Sequence, residues 1–281
     1  MAVDINNLII SSAETIHAYN RQNGQLEVYL DELNSVKISN SEDDKEITGK
    51  GGELLKINKQ NKKVEVTGES ALVSGGLVSA QVGSDPVYSD TTKIRKPDIL
   101  VIKNGTATTE FTAISPSGSS GDEINYIYIL GANGDITSQQ MYTQTASASE
   151  LADGSNAKFT YDPSTKTIKV PTTGKFAVTS GTKMVAFYDY TAKGTTITNN
   201  ADVFGKVLSV YIDLLATDTC DQTYKVQIVM PRGQFSGTFD IDVSGDQVMQ
   251  GFTINNLVDT CMTSSSKKLW DLIVYDDSVS A

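Results

Sequence analysis

The chain has 281 residues, enough for one large β domain or two ordinary ones, with a core that needs no disulfide or metal as a staple. Its 34 Asp and Glu against 23 Lys and Arg leave a net charge of −11, which excludes a protein that grips nucleic acid by its phosphates on a basic face. One His and two Cys exclude zinc sites rich in either residue, and 20% charged residues amid abundant Ser, Thr, Asn and Gly do not suit a coiled coil.

The opening 20 residues carry no basic start, and their longest apolar run is Leu8-Ile9-Ile10, short of the about 7–15 apolar residues of a secretory signal. No stretch approaches the roughly 20 apolar residues that cross a membrane as a helix. The expectation is a protein made in a cytosol, with no membrane partner. Residues 1–20 are polar with scattered aliphatics and read as an N-terminal arm that a partner orders. Residues 21–281 read as a single β-rich domain, with the middle third, 103–200, as a candidate elaboration.

Strand signals begin at Leu26 and continue where Val36 and Ile38 alternate with polar neighbours. The charge run 41–46 is expected as a solvated loop and 49–52 as a tight turn. Leu54, Leu55 and Ile57, a turn over 58–62, and Val64 and Val66 are expected as a hairpin. Residues 70–83 form the best helix candidate: Ser70 caps it, Ala71, Leu72, Leu77 and Val78 share a face, and Gly83 stops it. Gly75-Gly76 in its middle costs about 1 kcal/mol per residue against Ala. Two prolines mark 82–97 as a loop.

Residues 99–102, 111–114 and 125–130 read as strands ended by turn residues. Residues 141–153 are a short helix or a loop. Residues 159–161 and 168–170 flank Asp162-Pro163-Ser164 as a hairpin, 184–190 is a strand, and Asn199 or Asn200 caps a short helical turn over 201–204. The most regular strands are 207–215, 224–230 ended by Pro231, 235–243, 252–254 and 269–275. The fold class that follows is mainly β: a sandwich or barrel with one or two short helices, an extended N-terminal arm and long loops.

Catalytic patterns are missing. Gly49-Lys50, Gly174-Lys175 and Gly205-Lys206 lack the Ser or Thr and the spaced upstream Gly of a phosphate-binding loop. Neither a dinucleotide fingerprint nor a G-x-S-x-G elbow occurs. Ser264 and Lys267 have S-x-x-K spacing by chance in a Ser/Thr-rich stretch, and His17 is expected exposed or at an interface. Among 34 carboxylates an acid pair at glycosidase spacing arises by accident, and a single Trp is a poor carbohydrate platform. The chain reads as not an enzyme, with no cofactor and no metal. Asn104-Gly105-Thr106 fits a glycosylation sequon but follows no signal. Cys220 and Cys261 are expected as free, mostly buried thiols, the alternative being a disulfide between them.

Asp240-Ile241-Asp242-Val243-Ser244-Gly245 opens like a calcium loop, but Gly251 stands where a bidentate Glu belongs. The alternation predicts a strand instead, with Phe239, Ile241 and Val243 toward the core and Asp240 and Asp242 on the other face. That acidic face is either simply solvated or built to repel another polyanion.

Two stretches together resemble a known family. One is Glu46-Ile47-Thr48-Gly49-Lys50-Gly51-Gly52 with the hairpin and helix after it. The other runs from Val207-Leu208-Ser209-Val210-Tyr211 through Tyr224-Lys225-Val226 to Pro231, into Gly233-Gln234-Phe235-Ser236-Gly237, and ends at Leu269-Trp270-Asp271-Leu272. This order is similar to that of the tail tube proteins of long-tailed bacteriophages. The resemblance implies a β-sandwich or barrel flanked by a helix, hexameric rings stacked into a hollow tube, and an extended loop and terminal arm bridging neighbours. It also implies other tail proteins as partners, and double-stranded DNA passing through the lumen without specific binding. The expected place is the virion tail, after synthesis and assembly in the host cytoplasm. Asp240 and Asp242 are then candidate lumen-facing residues, because DNA must slide without sticking. The alternatives are another phage structural subunit, such as a capsid decoration or baseplate protein, and a bacterial surface β-sandwich adhesin.

Overall fold

The computed structural model describes residues 7–118, 121–124, 126–131, 140–220, 222–242, 249–258 and 267–275. The chain divides into two compact units, one built from Met1–Val87 and Thr196–Ala281 and the other from Tyr88–Thr195. Two units therefore replace the single domain read over 21–281. Both are β structures, so the fold is mainly β, as expected, with two short helices among the described residues.

In the first unit the elements begin with β1 (Ile9–Asn20), β2 (Leu26–Leu30), β3 (Leu33–Thr48), β4 (Leu54–Ser70) and α1 (Gly75–Val82). The second unit holds β5 (Val87–Val101), β6 (Thr106–Thr108), β7 (Tyr126–Ile129), β8 (Gln140–Gln144), α2 (Ala148–Asp153), β9 (Lys158–Asp162), β10 (Thr167–Lys169) and β11 (Lys183–Thr196). The first unit resumes with β12 (Val207–Thr217), β13 (Thr223–Phe235), β14 (Ile241–Asp242), β15 (Met249–Asn256) and β16 (Asp271–Tyr275).

The first unit is one sheet in the order β2-β1-β12-β13-β15-β4-β3, with β14 on β15 and β16 on β13. Its centre follows from strict alternation. Leu208, Val210, Ile212 and Leu214 of β12 and Val226, Ile228 and Met230 of β13 all turn to one face, where they meet Ile16, Val66, Phe252 and Ile254. Pro231 does not end β13. It lies at a register shift against β12, where a strand tolerates proline, and its carbonyl accepts a hydrogen bond from Ser209 Oγ at 3.1 Å.

Several expectations are corrected. Residues 9–20 are not an arm: β1 pairs with β12 on one side and β2 on the other, and its Ile16 and Ala18 are both 0% exposed. The helix starts later than expected because Ser70 closes β4, and Ser74 Oγ accepts the Leu77 N–H as the cap. Gly75 and Gly76 thus open α1 rather than interrupt it. A Cβ on Gly76 would lie 2.4 Å from the Glu27 carbonyl, so glycine lets the helix sit against β2. Gly83 ends α1 at φ 80°, as expected. The segment over 82–97 is mostly β5, whose Pro97 is admissible because β5 is an edge strand. Residues 201–204 form a turn, not a helix.

The second unit is a seven-stranded path, β5-β11-β7-β8-β9-β10-β6, around its own core of Ile102, Ile127, Tyr142, Phe159, Ile168 and Met184. The hairpin at Asp162-Pro163-Ser164 forms as expected between β9 and β10. The chain enters this unit on β5 and leaves it on the adjacent β11, where Lys193 Nζ lies 3.3 Å from Asp90 Oδ1. Buried tyrosine hydroxyls tie down the strap after β6. Tyr188 donates to Asp98 Oδ2 at 2.6 Å and accepts from the Phe111 N–H at 3.1 Å, and Tyr161 accepts from the Ala113 N–H at 2.9 Å. Burial, and then the Asp98 carboxylate it donates to, pushes the Tyr188 hydroxyl well above the ordinary tyrosine value. Tyr188→Phe strips a donor from a carboxylate only 6% exposed and is expected to cost about 1–3 kcal/mol. Thermal unfolding checks this, and an unchanged melting curve would refute it.

Candidate assembly surfaces

Two β-rich surfaces of the first unit stand out. The first is the outer half of the β3–β4 hairpin. β15 pairs with β4 from Val64 to Ser70, so among the described residues 41–63 have no strand beside them except each other. The charge run 41–46 is therefore strand, exposed on both faces, rather than loop. Residues 58–62 are likewise inside β4, and Asn61 at φ 54° takes the left-handed conformation at a bulge opposite 41–43. The turn at 49–52 forms as expected, with Gly52 at φ 85°.

The ribbon ends in apolar side chains. Leu55 is 68% exposed, and Ile47, Leu54 and Ile57 are exposed as well. Cross-strand pairing sets Ile47 against Lys56 and Glu46 against Ile57, so aliphatic and charged groups meet on each face. Along the shaft, Lys59 pairs with Glu42 and lies 3.4 Å from Asp44.

The second surface is a groove of about 560 Å³ between the start of β1 and the base of β3. Its lining mixes the aliphatic Ile10, Ala13, Leu33, Val36, Ile38, Leu214 and Ile228 with the polar Ser11, Ser12, Asn34 and Ser35. It is the open end of the core, since Ala13, Leu33, Val36 and Ile38 are only partly buried against that cluster.

On the opposite face of the sheet the alternation leaves polar side chains. Asp213 is their centre: Gln227 Nε2 donates to Oδ1 at 2.8 Å, Thr15 Oγ1 donates to Oδ2 at 2.8 Å, and His17 Nε2 lies 3.0 Å from Oδ2. The His17 ring also stacks on Tyr211 at 5.2 Å. His17 is thus part-buried inside a strand, not on an arm. Burial alone would raise the Asp213 carboxyl, but the hydrogen bonds from Gln227 and Thr15 and the neighbouring His17 outweigh it and hold it below the usual carboxylate value. A lowered folded value means stability that is complete above the unfolded value of about 3.9 and is lost as pH falls through the folded one. The melting temperature of Asp213→Asn should therefore lie below that of the parent at pH 7, with the gap closing under acid conditions. A gap independent of pH would contradict this.

The acidic pair is placed differently from expectation. β13 stops at Phe235, and Ser236 Oγ accepts the Thr238 N–H at 3.1 Å, which turns the chain out of the strand. Among the described residues that follow, Ile241–Asp242 pairs again as β14, and Ile241 is 43% exposed instead of in the core. Asp240 and Asp242 are both exposed, with Asp240 beside Lys37 and Glu69 on the polar face. Val243, Cys261 and Ser264 lie outside the described residues. Cys220 is exposed, against the expectation of burial, because it sits in the turn after β12, where Asp218 Oδ1 accepts its N–H at 2.7 Å.

Charge is unevenly divided. The second unit contains ten acidic and ten basic residues, so the whole net of −11 belongs to the first. Within the first unit, the hairpin end 45–59 holds Lys45, Lys50, Lys56 and Lys59 against Glu46 and Glu53, a net of +2, leaving −13 on the remainder. The hairpin end and the groove escaped sequence reading. The available signal was Leu54-Leu55-Lys56-Ile57 directly after a glycine turn, an aliphatic cluster with no second face to bury it. Among the described residues, no group of three His, Cys, Asp or Glu is placed to hold a metal ion, and no helix is long and apolar enough to cross a membrane.

No curated protein matches the chain. Residues 8–267, which include every strand of the first sheet except β16, match the YomU/Tube protein family. With so much of its length inside one match, the chain belongs to the YomU/Tube protein family.

Proposed function

We propose that this chain is a tail tube subunit of a long-tailed bacteriophage: six copies close into a ring, and stacked rings form the path for double-stranded DNA during ejection. Beyond family membership, one observation carries the proposal. Among the described residues the ribbon 41–63 has no third strand, and it ends in exposed aliphatics. A lone two-stranded ribbon is marginal in water and gains its stability against another chain.

Charge supports the DNA path. With −11 on the first unit and none on the second, an acidic wall lets a polyanion slide without binding. Asp240 and Asp242, exposed on that unit, are the carboxylates proposed to face the channel. The role is structural, without catalysis or cofactor. Its partners are copies of itself and other tail proteins, with no membrane, and its place is the virion tail after assembly in the host cytoplasm. Negative-stain microscopy of concentrated protein tests this directly. Six-fold rings or tubes are expected, and particles that remain single at every concentration would overturn it.

A further inference from the structure

We propose that a cavity of about 420 Å³ in the first unit binds one sugar unit of a neutral saccharide. The cavity lies between the end of α1, residues 199–205, the end of β13 and Asn255 of β15. Its size falls within the roughly 300–1,000 Å³ of small-molecule sites. The proposal stands apart from the tube reading, since neither the hairpin nor the acidic surface enters it.

Charge narrows the ligand first. No Asp, Glu, Lys or Arg is among the lining residues, although 20% of the chain is charged. A charged ligand would give up water for a site with nothing to neutralise it, so the ligand is uncharged. Hydrogen bonding narrows it further. Asn199, Asn200, Gln234 and Asn255 line the cavity, and among the described residues none of these four side-chain amides has a hydrogen-bond partner in the chain. Gln81, on the same wall, differs. Its Nε2 donates to the Gly251 carbonyl at 2.9 Å and its Oε1 accepts from Gln250 Nε2 at 3.0 Å, so it supports the wall and is not available. A free amide offers a donor and an acceptor side by side. Neighbouring sugar hydroxyls, each a donor and an acceptor, answer both, whereas an apolar ligand would leave them unpaired. An extended peptide would instead need a row of main-chain partners along a sheet edge, and these amides come from three separate segments.

The stacking surface is Phe204. Of the two rings at the cavity, Phe235 is buried and Phe204 is 75% exposed. The main chain that carries Phe204 is fixed on both sides. The Val203 N–H donates to the Asn200 carbonyl at 3.3 Å, and the Lys206 N–H to the Ala80 carbonyl at 2.7 Å. Gly83 passes so close that a Cβ there would lie 2.1 Å from the Phe204 carbonyl oxygen. A ring held on fixed main chain beside free amides can receive the C–H face of a pyranose at a low ordering cost.

Saturation-transfer NMR on the full chain tests this. The probes are the methyl glycosides of glucose, galactose, mannose and N-acetylglucosamine, with maltotriose and chitotriose as longer chains. Glucuronic acid and glucosamine serve as charged controls. Transfer to at least one neutral sugar is expected, with a dissociation constant of about 1 mM. Phe204→Ala, and separately Asn200→Ala with Asn255→Ala, should each weaken that binding about tenfold. Melting curves should stay at the parent's position, because all three side chains are exposed. Phe204→Trp keeps the stacking surface and should keep the binding. The site is overturned by no transfer to any neutral sugar, by equal transfer to the charged controls, or by parent-strength binding in both alanine variants. Each of those outcomes leaves the tube reading intact, since microscopy of the sugar-free protein decides it.

Discussion

Lacking residues 1–20, the chain is expected to lose the fold of its first unit altogether. β1 lies between β2 and β12, and among the described residues β2 has no other strand partner. The truncation therefore removes two ladders, strands Val28 and Leu30 of β2, and uncovers the buried row of β12. Truncating Ile16 to Ala would by itself cost about 2–5 kcal/mol, against about 5–15 kcal/mol for the stability of a whole domain. Removing the strand exceeds that margin. Far-ultraviolet circular dichroism with a thermal melt is the measurement. A truncated chain that keeps the strand signal and cooperative transition of the full one would show that residues 9–20 are dispensable after all.

The double variant Leu54→Asp, Leu55→Asp should do the reverse, leaving the monomer folded and abolishing assembly. Both side chains are more than half exposed, and exposed substitutions shift stability by about 0.5 kcal/mol at most. In a docked interface each leucine contributes about 1.5–3 kcal/mol of burial. At roughly 1.4 kcal/mol per factor of ten, losing two raises the concentration needed for assembly by about 10² to 10⁴. Bringing carboxylates toward a unit that is already acidic adds repulsion. Sedimentation velocity across a concentration series, with a melting curve alongside, separates the two effects. Assembly at the parent's concentration would rule out the hairpin end as a contact.

The strands most legible in the sequence are those whose two faces differ. β12 and β13 alternate buried and half-exposed residues nearly without a break, and period-two hydrophobicity records that asymmetry. β1 hides because its inward residues, Ile16 and Ala18, sit among Ser, Thr, His and Tyr that serve the polar network on the other face. The outer halves of β3 and β4 hide for the opposite reason. Both of their faces meet solvent, so there is no alternation to detect and the charges read as loop. Prolines mislead at Pro97 and Pro231, because an edge and a register shift each accept a residue without an N–H. Asp240 and Asp242 show the converse error, an alternation that is real in the sequence but broken by a serine turn at 236–238. The groove could not be read at all, since β1 and β3 approach only once the sheet has curled.

The second unit leaves and rejoins the chain through two neighbouring antiparallel strands, with Asp90 and Lys193 at their adjoining ends. A segment whose ends adjoin behaves as a cassette, equivalent in the chain to a turn. Cargo of similar end-to-end spacing, whether a fluorescent reporter, an antigen or a capture domain, could be spliced between residues 87 and 196. If the chain assembles as proposed, each subunit would then carry one copy, making the polymer a scaffold for multivalent presentation.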